Sequence, residues 1–176
     1  MKEKLIELAK KIKDEKLRSK TIELIKDPKL TNPFFSHHER ESIENVRTPF
    51  SVNNVIVYRE LVKHTTAVVE MCIQLADIIE KNYGITINRD YLIAGALLHD
   101  IMKVYEWKEG QRTDILIDHA DLIALELYKR DFPEEVIHIV ISHPGDSSSP
   151  PRTVEALILH YVDTLAALIE SFWPQA

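Results

Sequence analysis

The chain has 176 residues, 45% hydrophobic and 28% charged, with a formal net charge of −6; this suits one domain with a real core and gives no general electrostatic reason to bind nucleic acid, local patches aside. Its one cysteine, Cys72, excludes an internal disulfide framework and fits a reducing cytoplasm, with buried packing as its expected role. The opening MKEKLIELAKKIK lacks a signal-peptide apolar region, and no apolar stretch reaches the ~20 residues of a membrane span, so a soluble cytoplasmic protein is expected.

The first 26 residues read as helix in two pieces with a break near Asp14, on the stripes Leu5, Leu8, Ile12 and Leu17, Thr21, Leu24. DPKLTNPFFSHHERESIENVRTPFS, with three prolines, reads as a long ordered loop of the kind that often carries function. A long helix is expected from about Val55 to Tyr83, stopped at Asn82-Tyr83-Gly84. Its stripe runs Leu61, His64, Val68, Met71, Leu75, Ile78, which turns His64 inward. A helix from Arg89 to about Met102 contains GALLHDIMK. Trp107 to Thr113, with Gly110, predicts a turn or short hairpin. The next helix spans roughly Ile117 to Arg130, with His119, Ile123 and Glu126 on one face. Pro133, Glu134 and Glu135 start another, which ends near His143; His143 follows Val136 and Val140, while His138 points away from that face. SHPGDSSSPPRT is a polar loop, and Thr153 caps a last helix to about Phe172. There Ala156, His160, Asp163 and Ala167 share a face. With no repeats and no strand-period alternation, the reading is an all-α helical bundle in a single domain, residues 1–176. Within it, 1–54 hold the N-terminal helices and long loop, and 55–172 the helical core.

Four separate helices thus turn ionisable groups inward: His64, His99-Asp100, His119 or His143, and Asp163. Singly, each has a plainer reading, such as a hydrogen-bonded core histidine or a capping aspartate. Together, unpartnered groups of this kind would destabilise the fold several times over. A metal site satisfies them in one step, and helical folds build such sites from inward His and carboxylates on neighbouring helices.

The ordered set His64, His99-Asp100, Asp163 resembles the HD-domain superfamily of metal-dependent phosphohydrolases. LLHDIMK is similar to its HD-Ile-Gly-Lys signature, with Met102 at the usual glycine, and His119 and His143 match the variety that holds a second metal. The likeness extends to the HD domains of bacterial 3′-to-5′ exoribonucleases through IKDEKLRSKTIELI, NRDYLIAGALLHDIMKV, SHPGDSSSPPRTVEALILHYVDTL and the HH of FFSHHER. The departures are Pro144 where those enzymes often have a second His, Ala166 where they often have an Asp, and a missing Gly-Gly before the first motif His. Those enzymes carry an oligonucleotide-binding barrel before the domain, and the reading expects none here.

That resemblance implies a first metal on His64, His99, Asp100 and Asp163, and a second on His119 and His143 with Asp100 bridging. Two cations about 3.5–4 Å apart clamp a phosphoryl oxygen and generate hydroxide near neutral pH. Imidazole-rich ligation points to Mn, Fe, Co, Ni or Zn. Asp100 and Lys103 are the candidate catalytic residues; Lys103, Arg152 and His160 are candidate substrate contacts. His37 and His38 could reach the site from the long loop or lie on the surface.

The leading expectation is a phosphohydrolase of nucleotides or short oligonucleotides, without grip on long RNA and without a membrane partner. The alternatives are a di-iron HD-fold oxygenase of a small organic substrate and a non-catalytic nucleotide-binding module. Oligomeric state is not legible.

Overall fold

The computed structural model describes residues 2–52, 55–145 and 147–172. Helices α1 (Lys2–Ala9) and α2 (Glu15–Lys26) are separated at the expected place. Asp14 ends the break: its carboxylate accepts the Leu17 N–H at 2.8 Å and caps α2. Beyond α2 the chain runs irregularly to residue 46, with a 3-10 turn at Pro33–Phe35 capped by Asn32. Long-range bonds hold this loop. Thr31 N–H donates to the buried Glu126 carboxylate at 3.0 Å, and Glu41 N–H to Val104 O at 2.8 Å.

The next segment corrects the sequence expectation. Strands β1 (Arg47–Val52) and β2 (Val55–Glu60) form an antiparallel hairpin, with Arg47 opposite Glu60 and Pro49 opposite Tyr58. Helix α3 (Leu61–Tyr83) therefore starts six residues later than Val55. Val55, Ile56, Val57 and Tyr58 are β-branched or aromatic and favour a pleated surface over a helix. Pro49 is tolerated because both strands of a two-stranded ribbon are edges. α3 ends as read, on Gly84 at φ +66° with its N–H on Glu80 O at 3.1 Å. Its buried face is rotated from the expected stripe: Thr65, Val69, Cys72 and Ala76 are buried beside His64 and Val68, whereas Ile78 is exposed. Cys72 is core, and burial pushes its thiol pKa up.

Helix α4 (Arg89–Leu98), capped by Asn88, is shorter than expected. Past Leu98 the backbone tightens into turns, Ile101 N–H to Leu98 O at 3.2 Å and Lys103 N–H to Asp100 O at 3.0 Å. The one-turn helix α5 (Lys103–Glu106) follows. β3 (Trp107–Lys108) and β4 (Gln111–Arg112) make the expected small hairpin, turning on Glu109 and Gly110 at φ +54° and +77°. Helices α6 (His119–Lys129), α7 (Glu134–Ile141) and α8 (Val154–Phe172) complete the chain. Thr153 Oγ1 accepts the Ala156 N–H at 3.1 Å and caps α8 as read.

α3 packs between α4 and α8, and α7 between α4 and α6, with α1 and α2 against α3 and α4. Leu92, Leu97, Leu98, Ile123, Val140 and Leu159 fill the space between them. The fold is all-α; its strands are confined to the two hairpins among the described residues. No helix there is long and apolar enough to cross a membrane.

Candidate metal centre

The turns after α4 decide the site. With the helix broken at Leu98, His99, Asp100 and Lys103 all face the space enclosed by α3, α6, α7 and α8, and all three are buried. α3 contributes His64 from its first turn, α6 starts with His119, and α8 supplies Asp163. The residue after the α7 C-cap is His143.

Asp100 lies at the centre. Its Oδ1 is 3.1 Å from His119 Nε2 and 3.5 Å from His143 Nε2. Its Oδ2 is 3.5 Å from His99 Nε2 and 3.8 Å from His64 Nε2, and accepts from Lys103 Nζ at 2.7 Å. Asp163 Oδ1 is 2.8 Å from His64 Nε2 and 3.7 Å from His99 Nε2. The ligand atoms of His64, His99 and Asp163 lie within 4.8 Å of one another, as do those of His99, Asp100 and His143.

The other ring nitrogens explain why these face inward. His99 Nδ1–H donates to Ala96 O at 2.8 Å and His143 Nδ1–H to Val140 O at 2.6 Å. His119 Nδ1–H donates to Glu106 at 3.1 Å, and His64 Nδ1–H to Glu170 at 3.1 Å. A carbonyl can only accept, so in His99 and His143 Nδ1 carries a proton and Nε2 is the nitrogen left to face the cluster. Metal-binding histidines are held this way, the second nitrogen fixing tautomer and orientation. Three buried polar side-chain atoms make no hydrogen bond among the described residues: His99 Nε2, Asp100 Oδ1 and His119 Nε2. All three are in this cluster. Ligand atoms converging without hydrogen-bond partners fit a cation, and the N/O set with imidazole dominant fits a divalent transition ion.

Burial and charge act against each other throughout the cluster. Burial opposes ionisation of Asp100, but the Lys103 ammonium and His99 beside it hold its carboxyl well below the usual range. Asp163 is held low too, burial being outweighed by its hydrogen bond with His64 and the nearness of His99. Burial lowers the His99 pKa, yet the Asp100 and Asp163 charges more than offset it and bring it to about 9. At His143 burial prevails over Asp100 and the ring falls to about 4.

The cluster opens on a cavity of about 810 Å³, lined by Lys103, Glu106 and His119 and walled by Thr48, Pro49, Arg59, Trp107 and Arg112 from the two hairpins. The other sequence candidates lie elsewhere. Arg152 is exposed, outside the described lining of the cavity, with its N–H donating to His138 Nε2 at 3.0 Å. His160 Nδ1–H donates to the carbonyls of Ser142 and His143, at 3.2 and 3.1 Å, bracing the turn that carries His143. His37 and His38 stack on each other, and His38 reaches Asp114 at 3.5 Å.

Sequence reasoning missed Glu106, Glu170 and Arg59. Glu170 was findable, two helical turns after Asp163 on the same face, and so was Glu106, three residues after Lys103. Arg59 was hidden because its strand read as helix.

Residues 61–168 match the HD domain family model, more than half of the chain. The chain is 47% identical over 169 residues to the dihydroneopterin 2′,3′-cyclic phosphate phosphodiesterase of Methanocaldococcus jannaschii, a match covering 92% of this chain and 67% of that protein. It is 32% identical over 124 residues to the 3′-5′ exoribonucleases YhaM of Bacillus subtilis and Bacillus velezensis, covering 61% of this chain and 38% of each. This chain thus spans about two thirds of the first relative and well under half of the others. No solved structure matches it. With the motif histidines and aspartates gathered within the segment that the family match spans, the chain belongs to the HD-domain family of phosphohydrolases.

Proposed function

We propose that this chain is a metal-dependent phosphodiesterase acting on a small phosphoester: a nucleotide, a short oligonucleotide or a cyclic phosphate of comparable size. The observation that carries the reading is the convergence of unpartnered Nε2 and Oδ1 atoms around Asp100, beside a cavity that His119 and Lys103 line. His64, His99, Asp100 and Asp163 would hold one divalent ion, and His119, His143 and Asp100 a second. Bound there, two such ions supply a hydroxide near neutral pH and stabilise phosphoryl charge.

The chain's own residues do the rest. Lys103 is fixed on Asp100 at 2.7 Å and would bring its charge to the phosphoryl group. Glu106 and Glu170 keep His119 and His64 in the ligating tautomer. His160 has a bracing part in this reading and Arg152 none. The relative named for a 2′,3′-cyclic phosphate makes a five-membered cyclic diester the first substrate to try. Such a ring exposes one phosphorus with two non-bridging oxygens, compact enough for the cavity. Long RNA is a poor fit: extended grip needs several phosphate contacts and stacked bases, and the cavity wall offers few cations and one tryptophan.

The test is hydrolysis by Mn²⁺-loaded protein of nucleoside 2′,3′-cyclic phosphates, a pterin 2′,3′-cyclic phosphate, short oligoribonucleotides and long RNA. Turnover of the small diesters, lost in Asp100→Ala, supports the reading. Processive degradation of long RNA with steep salt sensitivity, or no turnover of any diester after metal loading, overturns it.

A further inference from the structure

Helix α8 is apolar on two sides. Its inner side packs on α3, α4 and α7 through Ala156, Leu159, Val162 and Ala166. On its outer side Leu157, Tyr161, Leu165 and Ile169, spaced four apart, are 47, 62, 50 and 45% exposed, and Leu168 beside them is 50% exposed. Residues four apart form one ridge of a helix, here about 18 Å long at 1.5 Å per residue. A surface helix normally turns polar residues to water. This one turns out leucines.

The charged and ionisable groups of α8 are all engaged elsewhere. Glu155 accepts the Asn88 N–H at 2.7 Å, and His160 donates to the carbonyls of Ser142 and His143. Asp163 and Glu170 bond His64. The helix contains no lysine or arginine. That composition selects the occupant. A helix that lies on a membrane carries Lys and Arg on its polar side to meet anionic lipid, and α8 has none. A partner recognised through charge would find no charged side chain on this ridge. A second α8 suits it, because two identical ridges bring no like charges together and a two-fold axis asks only that a face fit itself. Ridges of this four-residue type interdigitate in the commonest class of helix packing. Run antiparallel about an axis level with residue 163, Leu157 would meet Ile169 of the partner subunit, and Tyr161 would meet Leu165 of the partner subunit. Five large side chains about half exposed leave on the order of 500 Å² of apolar surface. Two copies meeting there bury about 1,000 Å², where specific interfaces begin.

We propose that this ridge is a self-association face, through which two copies of the chain pair by their α8 helices. Leu168 belongs both to this face and, with Thr164, Ala167 and Ser171, to the wall of the cavity beside the metal centre. The second copy therefore stands at the rim of that cavity. The pairing needs neither metal nor substrate.

The experiment is sedimentation equilibrium of the purified chain between about 1 and 100 µM, the range in which a modest apolar interface dissociates. The wild type is expected to be a dimer that tightens as salt screens the net charge of −6 on each copy. Leu165→Glu and Tyr161→Glu each place carboxylates in the paired ridge and should weaken association by about 100-fold or more. Leu125→Glu, at a leucine of α6 that is 59% exposed, should leave the dimer intact. All three positions are exposed, so circular dichroism and Tm should stay at wild-type values. If Leu165→Glu does not fold, Tyr161→Glu decides. A wild type that is monomeric at about 100 µM overturns the proposal, as does a dimer that survives both α8 substitutions. A dimer lost in Leu125→Glu and kept in Leu165→Glu overturns it too, by placing the interface on α6.

Discussion

Each histidine of the centre is held by its second nitrogen, and the four anchors differ in kind. His99 and His143 hang on backbone carbonyls of their own local turns, so no side-chain substitution can remove them. His119 and His64 hang on Glu106 and Glu170. Those two anchors are mutable, and losing an outer-shell carboxylate costs about 10–100-fold in metal affinity. Glu106→Gln and Glu170→Gln should each weaken metal binding by that order in a competitive chelator titration, with Glu7→Gln on the exposed side of α1 unchanged. Equal affinity in all four proteins would show that the histidines need no carboxylate to orient them. Protons give a second check. The His99 value of about 9 lies above its ordinary 6.5. In the metal-free protein this ring therefore contributes stability that is full below about pH 6.5 and lost as pH rises through about 9. A metal ion at Nε2 must expel that proton. Calorimetric titration with Zn²⁺ at pH 7.5, in buffers of different ionisation enthalpy, should report proton release; none would mean that His99 is already neutral.

At the scale of elements, α4 and α7 set the spacing of the centre, since one leads into His99 and the other into His143. Gly95 lets them meet: a Cβ there would overlap Ile139 Cγ2 and stand 3.1 Å from Ile139 Cβ. Gly95→Ala gains helix propensity but must push the helices apart, and overpacking of this sort costs about 1–3 kcal/mol. The expected outcome is lower thermal stability together with weaker metal binding, because the same displacement separates His99 from His143. Stability unchanged or raised would show that Ile139 moves aside freely. This packing also explains what was legible beforehand. The inward histidines and aspartates could be read because a helix of 3.6 residues per turn repeats its faces, and the HD pair added order along the chain. The β1–β2 hairpin could not be read against the strong helical period that begins at Leu61. Val52-Asn53-Asn54-Val55, two asparagines between β-branched residues, was the signal to weigh more heavily. The break after Leu98 was hidden because Ile101 and Met102 are apolar and buried like the helix before them. Only the turn geometry separates them from it.

For the whole molecule, the centre gathers imidazoles and carboxylates from elements distant in sequence into two groups whose ligand atoms lie within 4.8 Å of one another. Filling it should stabilise the fold, because a ligand bound by the folded chain alone contributes about 2.7 kcal/mol at a hundred times its Kd. In a domain of this size that is about 5–10 °C in Tm. Stripping with a chelator should lower Tm by that amount, and Mn²⁺ or Zn²⁺ should restore it while Mg²⁺ restores less. Identical melting with and without metal would exclude a centre that bridges α3, α4, α6 and α8.

The two hairpins have a consequence of another kind. The groups that would hold metal lie on helices or the turns that follow them, whereas Thr48, Pro49, Arg59, Trp107 and Arg112 of the cavity wall come from ribbons that touch where Tyr58 covers Gly110. On the proposed function, bond breaking and the choice of what is broken would thus fall to different parts of the chain. The ribbons are nonetheless joined to the helices, β2 leading directly into α3 and β1 packing on α8, so it is residues at their cavity-facing positions that can change most freely. Divergence within such a lineage has a cheap route: rewrite the ribbons, keep the engine, and a new compound becomes food for an old reaction.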